Sequence, residues 1–216
     1  MLGNHDINFD SPDDNGSDET WHRYFGPNYY SFDHGNIHVV VLDSSDSSLS
    51  ATGPMATWLR ADLAQNTLPW VIAVVHHAPY AKGSRDSDND YGMTQIREQF
   101  LPILEQGGVD LVLGGHSHDY ERSYLIDGHY GYSSTFTAAH VRNGGTGRED
   151  GTGAYRKTTG VPHQGTVYAV VGISGDPSQS GSRDHPAMPI GFVTLGSLVI
   201  DVNGPRLDAT LIDHQG

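Results

Sequence analysis

The sequence predicts an α/β domain on a mixed sheet, with helices early and antiparallel strands late. Two runs, Trp70 to Val75 and Val109 to Leu113, are continuous, apolar and rich in β-branched residues, as a strand covered on both faces requires. Segments of helical period alternate with them. Three further β-rich runs close the chain with no helix between them.

Tyr29 to Phe32 and Ile37 to Leu42 flank Asp33-His34-Gly35-Asn36, whose turn chemistry predicts a hairpin. Pro54 to Asn66 carries apolar residues at Met55, Trp58, Leu59 and Leu63, with Pro54 at the start, where its missing N–H costs nothing. Thr94 to Gln106 reads as a second helix, stopped by Gly107-Gly108. Tyr120 to Ile126 reads as extended. Residues 143–165, rich in Gly and Thr, read as one long loop of the kind that often carries function. Val167 to Val171, Phe192 to Ile200 and Arg206 to Ile212 are the closing strands. No repeat or linker divides the 216 residues, so a single domain over 1–216 is expected.

Lys plus Arg number 12 against 26 acidic residues, a formal net charge of −14. That charge opposes a nucleic-acid or anionic-membrane surface. It permits a small anionic substrate held through a cation. The absence of cysteine removes disulfides, thiolate metal sites and cysteine nucleophiles. Histidine, at 13, outnumbers Lys and Arg together. The start, Met1-Leu2-Gly3-Asn4-His5-Asp6, has neither a basic nor an apolar leader region, so no signal peptide is expected and the compartment stays open. No apolar run approaches the roughly 20 residues of a membrane span.

Three short motifs carry the chemistry. Gly115-His116-Ser117-His118 follows a buried strand; two imidazoles in a glycine-freed turn suit a transition metal, or are ordinary loop histidines. His76-His77-Ala78-Pro79-Tyr80 also ends a strand, offering one ligand and one phosphate contact, or hydrogen-bonded surface histidines. Gly3-Asn4-His5-Asp6 offers a neutral amide oxygen and an imidazole beside a carboxylate, or a plain turn. Gly172-Ile173-Ser174-Gly175 is one residue short of a serine-hydrolase elbow. Gly151 to Thr158 has Arg156 where a P-loop needs Gly. Arg142, Arg148, Arg156 and Lys157 could meet an anionic substrate or simply be solvated.

GNHD, HHAPY and GHSHDYER in this order resemble the calcineurin-like metallophosphoesterase superfamily. YYSFDHGNIHVVVLDSS, GTVYAVVG and GSLVIDVNGPRL are similar to its purple acid phosphatase-like branch. The resemblance implies a sandwich of mixed sheets flanked by helices. It implies two metals bridged by a hydroxide that attacks phosphorus. Asn4, His76 and His116 would bind one metal and His118 the other. His5, with Asp6, would be catalytic, contacting phosphate and protonating the departing oxygen. Apart from the resemblance, His77 could be the phosphate contact of its pair, and Tyr80, Tyr120 and Tyr124, near the motifs, could line a substrate pocket or be partly buried in the core.

The family carries two further metal-binding motifs ahead of GNHD, so this chain reads as an N-terminally truncated version with a reduced site. One or two ions of zinc, iron or manganese are expected, with Asp10, Asp13, Asp14, Asp18 and Glu19 the nearest replacement carboxylates. The expected function is metal-dependent hydrolysis of a small mono-, di- or activated triester. The alternatives are a non-catalytic metal- or phosphate-binding remnant and a strand-exchanged homo-oligomer. Full-length relatives are typically secreted or periplasmic.

Overall fold

The computed structural model describes residues 1, 3–5, 26–45 and 48–216. A seven-stranded mixed sheet organises them, in the order β1 (Tyr30–His34), β2 (Ile37–Leu42), β3 (Trp70–His77), β4 (Leu111–Gly115), β8 (Val167–Val171), β5 (Tyr120–Arg122), β9 (Ile190–Phe192). β1 (Tyr30–His34) and β2 (Ile37–Leu42) form the expected hairpin, in register from Tyr30↔Val41 to His34↔Ile37. Its turn is only Gly35-Asn36. Gly35 takes φ +60°, a left-handed conformation that costs a glycine nothing, which is why so short a connection closes here.

Helix α1 (Pro54–Gln65) buries Met55, Leu59 and Leu63, then the chain enters β3 (Trp70–His77). β3 runs two residues beyond the expected apolar run and so ends on His76 and His77. The second helical region starts earlier than expected. It comprises α2 (Tyr91–Gln95), a π-helical segment (Ile96–Phe100) and α3 (Leu101–Gln106). The π segment turns Arg97 inward, where its guanidinium donates to the carbonyls of Pro79 and Ser87. Two buried backbone oxygens are thereby satisfied, which explains a fully buried arginine.

β4 (Leu111–Gly115) lies parallel to β3 and to β8 (Val167–Val171). The stretch expected to be extended splits into β5 (Tyr120–Arg122) and β6 (Leu125–Ile126). β6 pairs with β7 (Val141–Asn143). β9 (Ile190–Phe192) closes the large sheet beside β5, antiparallel. β10 (Gly196–Asn203) and β11 (Arg206–Asp213) form a separate hairpin. The expected strand from Phe192 to Ile200 is thus two strands in two sheets. Val40, Leu42, Val71, Ala73 and Val75 of the sheet pack with Leu59, Phe100, Leu101 and Leu104 of the helices in one apolar core. Among the described residues no helix is long and apolar enough to cross a membrane.

The long loop lies away from the strand ends that carry the motifs. Lys157 is buried against Asp110 at 2.8 Å and donates to the carbonyls of Gly108, Val109 and Gly165. These residues precede β4 and β8, so the loop covers the amino ends of the parallel strands. Arg142 is held by Asp127, Arg148 by Asp150, and Lys157 by Asp110. The substrate contact considered for Arg142 and Lys157 is therefore corrected, since each is committed to a buried carboxylate, whereas Arg148 and Asp150 form an exposed surface pair.

Candidate functional site

His76 and His77 reach the carboxyl end of β3 because the apolar run before them is anchored in the core. In a regular strand adjacent side chains point to opposite faces. The pairing of β3 with β4 shifts register between Val74 and His77, and this break in alternation lets both rings face the next turn. There His116 follows β4 in a left-handed conformation, φ +67°, uncommon for a non-glycine residue. Its ring centroid lies 5.1 Å from that of His76 and 4.4 Å from that of His77. One nitrogen from each of the three imidazoles falls within 4.8 Å of the others.

Each ring is held by a named partner. Asn4 Oδ1 lies 2.7 Å from His76 Nε2. Ser44 Oγ accepts the backbone N–H of His77 and meets its Nδ1 at 2.8 Å. Asp90, the cap of α2, accepts the N–H of Met93 through Oδ1 and lies 3.1 Å from His116 Nε2 through Oδ2. Two glycines let the backbone close over the rings. A Cβ on Gly3 would stand 3.0 Å from His76 Nδ1, and one on Gly92 would stand 2.8 Å from His77 Cδ2.

Burial, reinforced by the neighbouring imidazoles, lowers the pKa of His76 to about 3 and that of His77 to about 4. Both rings are therefore neutral at pH 7, the form whose lone pair binds metal. The hydrogen bond from His116 holds the Asp90 carboxyl down at about 2, so it is anionic beside them. Three imidazoles, an amide oxygen and an adjacent carboxylate suit zinc, iron or manganese. The residues present fit a metal ion of this class.

The site residues expected from sequence separate into three groups. Asn4, His76, His77 and His116 come together. His5 is exposed and near enough to His76 for its charge to weigh on that ring. His118 stands apart from the trio, with its side chain 40% exposed and Nδ1 3.6 Å from Asp176. Tyr80 and Tyr120 require correction. Tyr80 is fully buried, its ring 4.9 Å from that of Tyr168 and its hydroxyl donating to the carbonyl of His129. Tyr120 is buried against Phe192. Side chains enclosed by the core line no substrate cleft. Asp6, Asp10, Asp13, Asp14, Asp18 and Glu19 lie outside the described residues.

Sequence reasoning missed Ser44 and Asp90. Ser44 follows β2 in the segment already singled out for its resemblance. Asp90 reads in sequence only as a helix cap. A second group able to offer ligands, Glu105, Asp127 and His163, lies at the far end of the sheet. There the Glu105 carboxylate already accepts from Tyr130 and Tyr168, while Asp127 is taken by Arg142 and His163.

The family model for calcineurin-like phosphoesterases matches residues 1–120. An uncharacterized protein of Mycobacterium tuberculosis is 31% identical over 117 residues, 48% of this chain and 22% of its own length. Purple acid phosphatase 18 of Arabidopsis thaliana is 30% identical over 128 residues, 57% of this chain and 28% of its own length. The chain thus spans about a quarter of these curated relatives. Among solved structures, a purple acid phosphatase from yellow lupin seeds superposes with a TM-score of 0.60 at 17% identity, covering 80% of this chain and 28% of that one. This last likeness shows the fold.

Proposed function

The chain belongs to the calcineurin-like phosphoesterase family, and on that premise we propose that it catalyses metal-dependent hydrolysis of phosphate esters. The observation that carries this reading is the convergence of His76, His77 and His116 with Asn4 at the carboxyl ends of β3 and β4. Asn4, His76 and His116 would hold the ion, with the His77 ring beside them. His118 would serve a second ion where two are bound. Zinc, iron or manganese meets this donor set. When bound, such an ion supplies positive charge against phosphoryl oxygens and lowers the pKa of water.

The chain's own residues do the remaining work. Burial keeps the His76 and His77 imidazoles neutral, so these two act as lone-pair donors and not as acids. Ser44 and Asp90 fix the rings of His77 and His116, since a hydrogen bond at one nitrogen determines what the other offers. His5, exposed beside His76, contacts the phosphoryl group and passes a proton to the departing ester oxygen. The substrate is a small mono-, di- or activated triester. Nucleic acid and anionic membrane are not proposed partners, because a net charge of −14 repels both. One catalytic domain is proposed for residues 1–216.

The test is metal quantification and turnover of an aryl phosphate on the same purified sample. The expected result is at least one transition-metal ion per chain, with turnover lost to a chelator and restored by adding metal back. His116→Ala should lose both. Turnover that survives chelation and His116→Ala overturns the proposal. Bound metal without turnover favours a binding domain, and an oligomer in light scattering would add strand exchange to the account.

A further inference from the structure

We propose that Arg85 is the anion-gripping residue of this site: its guanidinium takes the phosphoryl oxygens of the substrate, which favours esters bearing two negative charges. The inference rests on the phosphoesterase reading and deepens it. On a chain this acidic, positive side chains are scarce and nearly all are committed. Among the described residues, Arg60, Lys82, Arg97, Arg122, Arg142, Arg148, Lys157, Arg183 and Arg206 each donate to a carbonyl or a carboxylate. Arg85 and Arg156 make no such contact, and Arg156 lies in the long loop, which covers the other end of the sheet.

Arg85 is exposed but firmly placed. Its backbone N–H donates to Ser117 Oγ at 3.3 Å. The adjacent Ser84 accepts the backbone N–H of His118 at 2.8 Å. Two hydrogen bonds thus stitch residues 84–85 to the turn that carries His116 and His118. The charge of Arg85 is near enough to His77 to weigh on that ring. The result is an uncommitted guanidinium at the His77 side of the histidine cluster. Its planar fork matches two oxygens of a phosphate, a geometry a point charge does not offer. A dianionic monoester presents more charge to that fork than a monoanionic diester does.

Inorganic phosphate binding to the metal-loaded protein, followed by calorimetry at pH 7, tests this alongside steady-state kinetics. Arg85→Gln should weaken phosphate binding about tenfold, the scale of one charge-assisted hydrogen-bonded contact. Metal content and melting temperature should not change. On an aryl phosphate monoester, KM should rise about tenfold while kcat moves less than threefold; on a diester, KM should rise less. Arg85→Lys should fall between, having the charge without the fork. Unchanged phosphate affinity in Arg85→Gln overturns the inference, as does loss of metal from that variant or a wild-type protein that binds no phosphate. A wild-type protein that binds phosphate without turnover refutes the phosphoesterase reading, and the calorimetric comparison still decides the role of Arg85.

Discussion

His116 Nε2 lies 3.1 Å from Oδ2 of Asp90, so the N-cap of α2 also steers an imidazole of the site. One carboxylate thereby performs two tasks, accepting the Met93 N–H and orienting His116. Asp90→Asn should preserve the cap, since asparagine caps helices about as well as aspartate. It should weaken the pull on the ring and lower metal affinity ~10–100-fold, the usual cost of losing a carboxylate behind a metal-binding histidine. Competitive chelator titration measures this, and unchanged affinity would remove Asp90 from the site.

Gly92→Ala separates helix stability from site geometry. Alanine favours a helix over glycine by about 1 kcal/mol. The added Cβ would nevertheless stand 2.8 Å from His77 Cδ2, a contact that displaces the ring. Metal affinity should therefore fall while the melting temperature changes little. Full metal affinity in this variant would show that the position of His77 is immaterial.

Stability should peak in mildly acidic solution. Burial raises the carboxyls of Glu105 and Glu121 from 4.5 to about 7. Between those values the folded state holds more protons than the unfolded chain. Their contribution is complete below pH 4.5 and is lost as pH rises through 7. Burial lowers His129 and His185 from 6.5 to about 4, so there the unfolded chain holds more protons and stability falls as pH drops from 6.5 to 4. Between pH 4.5 and 6.5 the two pairs oppose each other, so Glu105→Gln should flatten about half of the alkaline decline and steepen the fall in stability as pH drops from 6.5 to 4.5. Melting temperatures from pH 4 to 8 check this; an unaltered alkaline slope would contradict it.

Lys157→Ala should destabilise without touching the chemistry. It strands the buried Asp110 carboxylate, which also accepts the N–H of Val71. Removing one partner of a buried pair costs about 3–5 kcal/mol. Denaturant unfolding should show that loss, while phosphate affinity of the folded, metal-loaded variant stays at the wild-type value. A loss below 1 kcal/mol would mean that the loop contributes little to holding the amino ends of β4 and β8.

Much of the fold was legible because its signals are local. Pro54 starts α1, the apolar runs mark β3 and β4, and Gly35-Asn36 closes the first hairpin. Boundaries drifted where tertiary contacts decide them. β3 extends through His77 because pairing with β4 continues past the apolar run. The Phe192 to Ile200 run divides because its two parts pair with different partners, β5 and β11. Tyr80 lies beside the site motif in sequence but belongs to the core, because past the end of β3 its ring packs on Tyr168 and its hydroxyl finds the carbonyl of His129, partners distant in sequence.

The sequence by itself determined the family, the strand-end placement of the motifs and the need for a cation on so acidic a chain. These follow from residue type, order and count, none of which needs a third dimension. Only the tertiary structure decided that His77 joins His76 and His116, that Asp90 and Ser44 hold the rings, and that Arg85 is left uncommitted while Lys157 is locked away. Those facts depend on a register shift between two strands and on which carboxylate each cation meets, and both are properties of elements distant in sequence that packing brings together.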